Sequence, residues 1–195
     1  MKKEELTSFW EHLKTSDRNP LYYYLASFQA LTGTRIGEVC GLQWDAVDLE
    51  NKWVTIKRIV WWNHINRDPH LREGTKTNTI RKVFLCDKLV QLLTEWKEFT
   101  DGIKTNMVFH RNGDLLRYQG IQNAYNRAFR ALKLPYRSTH ILRHTFATLF
   151  VNQTGNREAL RSLLGHQTFA MTEKYAHTME SSQAMAMQKF ELGKL

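Results

Sequence analysis

The chain has 195 residues, 42% of them hydrophobic and 12% aromatic, enough for one large domain with an ordinary buried core. Its 28 Lys and Arg against 19 Asp and Glu leave a formal charge of +9, which favours a polyanionic partner, nucleic acid being the commonest, over a soluble protein that is merely basic. Cys40 and Cys86 lack CxxC spacing, the N-terminus MKKEELTSFW carries charge where a signal peptide needs apolar residues, and no apolar run approaches ~20 residues. A disulfide framework, a zinc site, a leader and a membrane span are therefore not expected, and a reducing, cytoplasmic setting is. In chain order, residues 5–14 read as a short helix. NPLYYYLASFQALTG is a helix that starts after Pro20 and stops at Gly33. RIGEVCGLQW is another short one. ENKWVTIKRIVWW alternates and is rich in β-branched and aromatic residues, so it reads as a strand. After an irregular stretch to Gly74, NTIRKVFLC reads as a second strand. DKLVQLLTEWKEF is an amphipathic helix with Asp87 as its expected cap. MVFH is a candidate short strand and RNGD a turn. Residues 118–133 form a helix with Ile121, Tyr125, Ala128 and Leu132 along its apolar stripe. From residue 139 the pattern is helical, interrupted near Gly155 and Gly165, and ESSQAMAMQKFELGKL reads as a separate final helix, at about 180–195. The expected fold class is mainly α with a small antiparallel β-sheet, an α+β domain.

The stretch STHILRHTFATL places His140, Arg143 and His144 close together on one helix. Histidines at i and i+4 can ligate zinc, but the zinc-protease version needs Glu after the first His, where this chain has Ile141, and Arg143 would repel a dication. No metal is expected. A buried, hydrogen-bonded role suits His144. For His140 and Arg143, in the first turn after the cap candidates Ser138 and Thr139, an anion fits best: free backbone N–H groups and the positive dipole end favour one there, and a guanidinium fork matches two phosphate oxygens.

Further segments make the pattern specific. TGTRIGE holds Arg35, TKT holds Lys76, HILRH holds His140 and Arg143, LLGH holds His166, and EKYAH holds Tyr175. In these boxes the chain resembles the tyrosine recombinases, also called the phage integrase family, which use an Arg, a Lys, a His-x-x-Arg, a second His (or Trp) and a nucleophilic Tyr in this order. The resemblance runs from residue 35 to 175, nearly the whole chain. It implies the recombinase catalytic-domain fold, and catalytic roles for Arg35, Lys76, His140, Arg143, His166 and Tyr175. It gives Lys76 the task of protonating the leaving group, although Lys57, Arg58, Arg72, Arg81 and Lys82 are nearby cations of the same kind. It implies no cofactor.

The chemistry agrees. A phosphodiester repels nucleophiles, and its transition state carries still more negative charge, which Arg35 and Arg143 can meet as it develops. His140 and His166 can add hydrogen bonds, and one can take the tyrosine proton. Free tyrosine has a pKa of ~10, so Tyr175 needs such cationic neighbours to attack. The product would be a covalent 3′-phosphotyrosine that a 5′-hydroxyl can reseal without metal or ATP. A type IB topoisomerase-like activity shares this chemistry, and a non-catalytic basic DNA-binding module is the alternative of another class. Glu38 is expected to hold Arg35 or a neighbouring helix. His177 reads as supportive, and His64, His70 and His110 as exposed.

Asn126, Arg130 and Lys133, with Gln119 and Asn123, lie on the polar side of the 118–133 helix and suit DNA edges and phosphates. Lys57, Arg58, Arg81 and Lys82 around the sheet are further phosphate candidates. The final helix carries Ala184, Met187 and Phe190 on one side. In the resembled family such a tail docks on a neighbouring protomer, which implies self-association on double-stranded DNA attachment sites, as a tetramer of the full-length protein; packing on its own domain is the other option. Family members also carry an N-terminal DNA-gripping domain. Arg35 lies too near Met1 for one to fit, so residues 1–195 are expected to be the catalytic domain with its tail, the N-terminal domain being absent.

Overall fold

The computed structural model describes residues 1–16, 20–74, 80–165 and 187–188. Its elements are α1 (Lys3–Thr15), α2 (Leu21–Thr32), α3 (Ile36–Cys40), β1 (Val47–Asp48), β2 (Trp53–Ile56), β3 (Arg58–Trp62), β4 (Pro69–Glu73), β5 (Arg81–Phe84), α4 (Asp87–Phe99), α5 (Tyr118–Ala131), α6 (His140–Thr154) and α7 (Arg157–Leu164). Helices packed around small antiparallel sheets give the α+β class that the sequence predicts.

Helix α2 is the centre of the core. From Leu25 to Thr32 every residue is buried, and the helix touches α1, α3, α4 and α6. A helix covered on all sides needs apolar residues on all sides, which LYYYLASFQALT supplies. Helix α1 buries Leu6, Phe9, Trp10 and Leu13, one stripe at helical spacing. Phe9 stacks on Phe129 with ring centroids 4.9 Å apart and meets Tyr125 edge-on at 5.3 Å, which locks α1 to α5. Helix α4 buries Leu89, Leu92, Leu93 and Trp96, and the Trp96 indole donates to the Val108 carbonyl. Its N-cap is Cys86 and not Asp87. Asp87 is the first helical residue, where it still suits the dipole, and its carboxylate accepts from Lys52 at 2.7 Å.

The sheet region is more elaborate than the sequence pattern suggests. The stretch read as one strand over ENKWVTIKRIVWW divides at Lys57. Before it, β2 lies between β1 and β5, with Val54 opposite Val83 and Ile56 opposite Arg81. After it, β3 pairs with β4, with Arg58 opposite Glu73 and Trp62 opposite Pro69. The Lys57 carbonyl accepts from Gly74 N–H at 2.8 Å, so this residue is the corner between two sheets. Strand β4 falls in the stretch read as irregular. It is exposed along most of its length and begins with Pro69, a tolerated position, so backbone pairing forms it without an alternating pattern. MVFH forms no strand; Met107 makes only an isolated bridge with Gln43. His110, expected to be exposed, is buried. Its Nδ1 accepts from Gly113 N–H at 3.1 Å, closing the RNGD turn, and burial lowers its pKa. His64 and His70 are exposed as expected, His70 stacking on Trp61.

Candidate active site

The site begins where α2 stops. Gly33 takes the left-handed conformation (φ 68°) that ends α2. A Cβ there would collide with the Phe146 ring and lie 2.8 Å from Leu164, so only glycine lets the end of α2 meet α6 and α7 this closely. Two residues on, Arg35 is the N-cap of α3. Its backbone N–H donates to Glu38 Oε2 at 2.8 Å and its Nη1 to Glu38 Oε1 at 3.2 Å. Glu38 is thus the reciprocal partner that fixes the start of α3, as its (i, i+3) spacing predicts. Arg35 remains about a quarter exposed.

Arg143 enters from α6. It is buried, as are Leu142, Phe146 and Phe150 of the same helix. Its Nη1 donates to the Gly33 carbonyl at 2.8 Å and its Nη2 to the Leu164 carbonyl at 2.9 Å. Both acceptors sit at helix C-termini, where the dipole welcomes a cation. Burial, then the nearby charge of Arg35, pulls the Arg143 pKa down to about 10, partly opposed by Glu38, so it stays charged at neutral pH. His140, the first residue of α6, is exposed, three positions before Arg143. His144, read as a buried histidine, is exposed instead; at four residues past His140 it shares that helix's outer side. Thr139 is the N-cap, but its hydroxyl is shared with Tyr118 and does not cap the helix.

A third guanidinium completes the cluster. Arg81, grouped by sequence with the surface cations, is buried. It grips Glu38 with both Nη atoms at 3.0 and 2.7 Å, and its Nε donates to the Leu163 carbonyl at 2.8 Å. The signal was available. In IRKVFL, strand alternation puts Arg81 on the same side as buried Val83, with Lys82 outward. Burial raises the Glu38 pKa, but its hydrogen bonds and charge contacts with Arg81 and Arg35 outweigh this and hold it below the usual carboxylate range. Among these four side chains, three guanidiniums surround one carboxylate, leaving two positive charges at the junction of α2, α3, α6, α7 and β5. Such a junction suits an anion with several acceptor oxygens.

Lys76, His166 and Tyr175 lie outside the described residues, as does the final helix apart from Met187 and Gln188. Met187 is fully buried in the main hydrophobic cluster of this same chain. Arg130 and Lys133 are exposed, and Asn126 is half-buried, on or just past α5. Lys57 pairs with Asp45 at 3.1 Å, alongside Arg58, which grips the same carboxylate at 2.7 Å. Among the described residues, no hydrogen bond or ion pair joins Lys57, Asn126, Arg130 or Lys133 to the arginine cluster. No group of described His, Cys, Asp and Glu residues is arranged to hold a metal ion.

The profile of the phage integrase family matches residues 1–182. This chain belongs to the phage integrase family. A XerC-like tyrosine recombinase of Caldanaerobacter subterraneus is 26% identical over 95% of the chain and 52% of its own length. The transposase of transposon Tn916 from Enterococcus faecalis is 29% identical over 93% of the chain and 48% of its own length. The chain therefore spans about half the length of these relatives. In fold it resembles the Tn1549 transposon integrase, solved with transposon right end DNA (TM-score 0.75, 20% identity, 95% of this chain and 65% of that one). It also resembles the XerH recombinase in a pre-cleavage complex with its difH substrate (TM-score 0.64, 22% identity, 94% and 49%). For this phage integrase family member, the likeness to those structures extends the shared catalytic-domain fold over nearly the whole chain.

Proposed function

We propose that this chain is the catalytic part of a site-specific DNA recombinase that cuts and rejoins strands through a 3′-phosphotyrosine. The observation that carries the reading is the convergence of Arg35 and Arg143, distant in sequence, on one positively charged junction. In this reading the two guanidiniums bind the non-bridging oxygens of a phosphodiester and gain strength as charge builds. Tyr175 Oη attacks phosphorus, its proton passing to a histidine, His140 or His166. The phosphorus–O5′ bond breaks, and the departing oxygen takes a proton from Lys76. The 5′-hydroxyl of another strand reverses these steps. The phosphotyrosine keeps the energy of the broken phosphodiester, so no ATP is required, and in this reading the guanidiniums and Lys76 supply the charge stabilisation and the proton for which a metal would otherwise serve.

The partner is double-stranded DNA bearing an attachment site, gripped through Lys57, Asn126, Arg130 and Lys133. On it the full-length protein assembles as a tetramer through the C-terminal tail; the burial of Met187 within its own chain supports, for that residue, the other option of packing on its own domain. Its DNA substrate would place its action beside the nucleoid; among the described residues no helix is long and apolar enough to cross a membrane.

The test is a pool of nicked duplexes with randomised arms, incubated with the chain in EDTA. A covalent protein–DNA adduct is expected, lost in Tyr175→Phe, and sequencing the captured DNA gives the site. Adduct persisting in that variant assigns the nucleophile elsewhere, and no adduct with any duplex favours a binding module. Relaxation of a supercoiled plasmid lacking the site would indicate a topoisomerase.

A further inference from the structure

Among the groups that the proposed chemistry leaves without a task, Arg81 is the most heavily engaged. It occupies the first position of β5, buried, with three of its donors committed within the protein. Each commitment leads to one of the two arginines read as phosphate ligands. Glu38 Oε2, which accepts Arg81 Nη2, also accepts the backbone N–H of Arg35, and Glu38 Oε1, which accepts Arg81 Nη1, also accepts Arg35 Nη1. On the other side, Arg81 Nε holds the Leu163 carbonyl, and the next carbonyl, of Leu164, holds Arg143 Nη2. One guanidinium therefore ties the N-terminus of α3 to the C-terminus of α7. At the residue after Leu164 the backbone passes directly over it: a Cβ on Gly165 would lie 3.1–3.3 Å from the Arg81 guanidinium.

We propose that Arg81 is a positioning residue that fixes the Arg35 and Arg143 guanidiniums relative to each other by clamping Glu38 and the end of α7. This rests on reading that pair as the phosphate ligands. Two consequences follow from the bonding. First, Arg81 takes both Glu38 oxygens, so the carboxylate is neutralised from below and the single, longer 3.2 Å contact leaves Arg35 its charge for an incoming anion. Without Arg81, Glu38 would close on Arg35 and spend that charge. Second, the Leu164 carbonyl that steadies Arg143 belongs to a helix end that Arg81 holds through the adjoining carbonyl.

The experiment compares the chain with Arg81→Lys and with the double variant Arg81→Met, Glu38→Gln. Lysine keeps the charge but cannot reproduce the fork, and the double variant removes the buried pair as a unit, leaving no lone carboxylate to unfold the protein. With 15N-labelled arginine, the Nε–H signals of Arg35 and Arg143, assigned from Arg35→Lys and Arg143→Lys, should exchange with solvent at least ~10-fold faster in both variants, while backbone amides away from the junction are unchanged. Unchanged Nε–H signals in both variants would overturn the proposal. With the nicked duplexes, the rate of adduct formation at saturating DNA should fall by ~10²-fold, while the Kd for DNA stays within ~3-fold. Equal losses of rate and affinity, or an unaltered rate, would also overturn it. If the unaltered chain forms no adduct, the phosphate-cleaving reading fails, and the arginine signals alone decide whether Arg81 positions the pair.

Discussion

Replacing Arg143 with lysine separates charge from geometry at the centre of the site. Arg143 spans the Gly33 and Leu164 carbonyls, 2.8 and 2.9 Å from two different nitrogens. Lysine keeps the positive charge but has one nitrogen, a point donor where the arginine is a fork. One carbonyl then loses a charge-assisted bond worth ~1.5–3 kcal/mol in a buried setting. For a domain of this size ~1 kcal/mol corresponds to a Tm change of ~2–4 °C, so Arg143→Lys should melt ~3–12 °C lower. If the same side chain also stabilises developing charge on a phosphate, the cleavage rate should fall by ~10²–10³-fold, while DNA affinity changes far less. Thermal unfolding followed by circular dichroism measures the first effect. Single-turnover adduct formation on a captured nicked duplex, beside a DNA-binding titration, measures the second. A Tm within ~2 °C of the unaltered chain, with cleavage intact, would refute the fork as the link between α2, α6 and α7. A fall in affinity equal to the fall in rate would make Arg143 an ordinary phosphate contact.

Three further outcomes are expected. Gly33→Ala places a side chain at φ 68° against Phe146 and Leu164, and should cost ~2–5 kcal/mol in urea unfolding, from the left-handed backbone and the overlap together; a loss under ~1 kcal/mol would mean that α6 and α7 can draw back. Glu38 has its folded pKa depressed below the unfolded value of 4.5, so its contribution is present above 4.5 and lost as pH falls through the folded pKa; Glu38→Gln should therefore flatten the acid limb of the stability curve, and an unchanged limb would contradict the ion pairs. Arg130→Ala, a change at an exposed residue of α5, should weaken DNA binding evenly across sequences and reduce the salt slope by ~1; an unchanged slope would remove Arg130 from the contact surface.

Local chemistry made much of this protein legible in its sequence. The helices announce themselves through apolar spacing and through glycines at their ends, because backbone conformation and side-chain periodicity are properties of a few adjacent residues. The motif residues Arg35, His140 and Arg143 were legible for a similar reason: Arg35 sits in the short box TGTRIGE, and His140 and Arg143 share the box HILRH. What depended on distant partners was not. β4 has no alternating apolar face and exists because β3 pairs with it. Lys57 looks like the middle of a strand and is a corner, because the strands on either side find different neighbours. His110 looks like an exposed polar residue and is buried, because it closes its own turn beneath Trp96. Arg81 looks like one of several surface cations and lies at the heart of the site, because strand alternation turns it toward Glu38 and the end of α7. Spacing along the chain specifies which face a side chain occupies, while the cost of leaving a buried charge unpaired requires partners that only the folded chain can bring together.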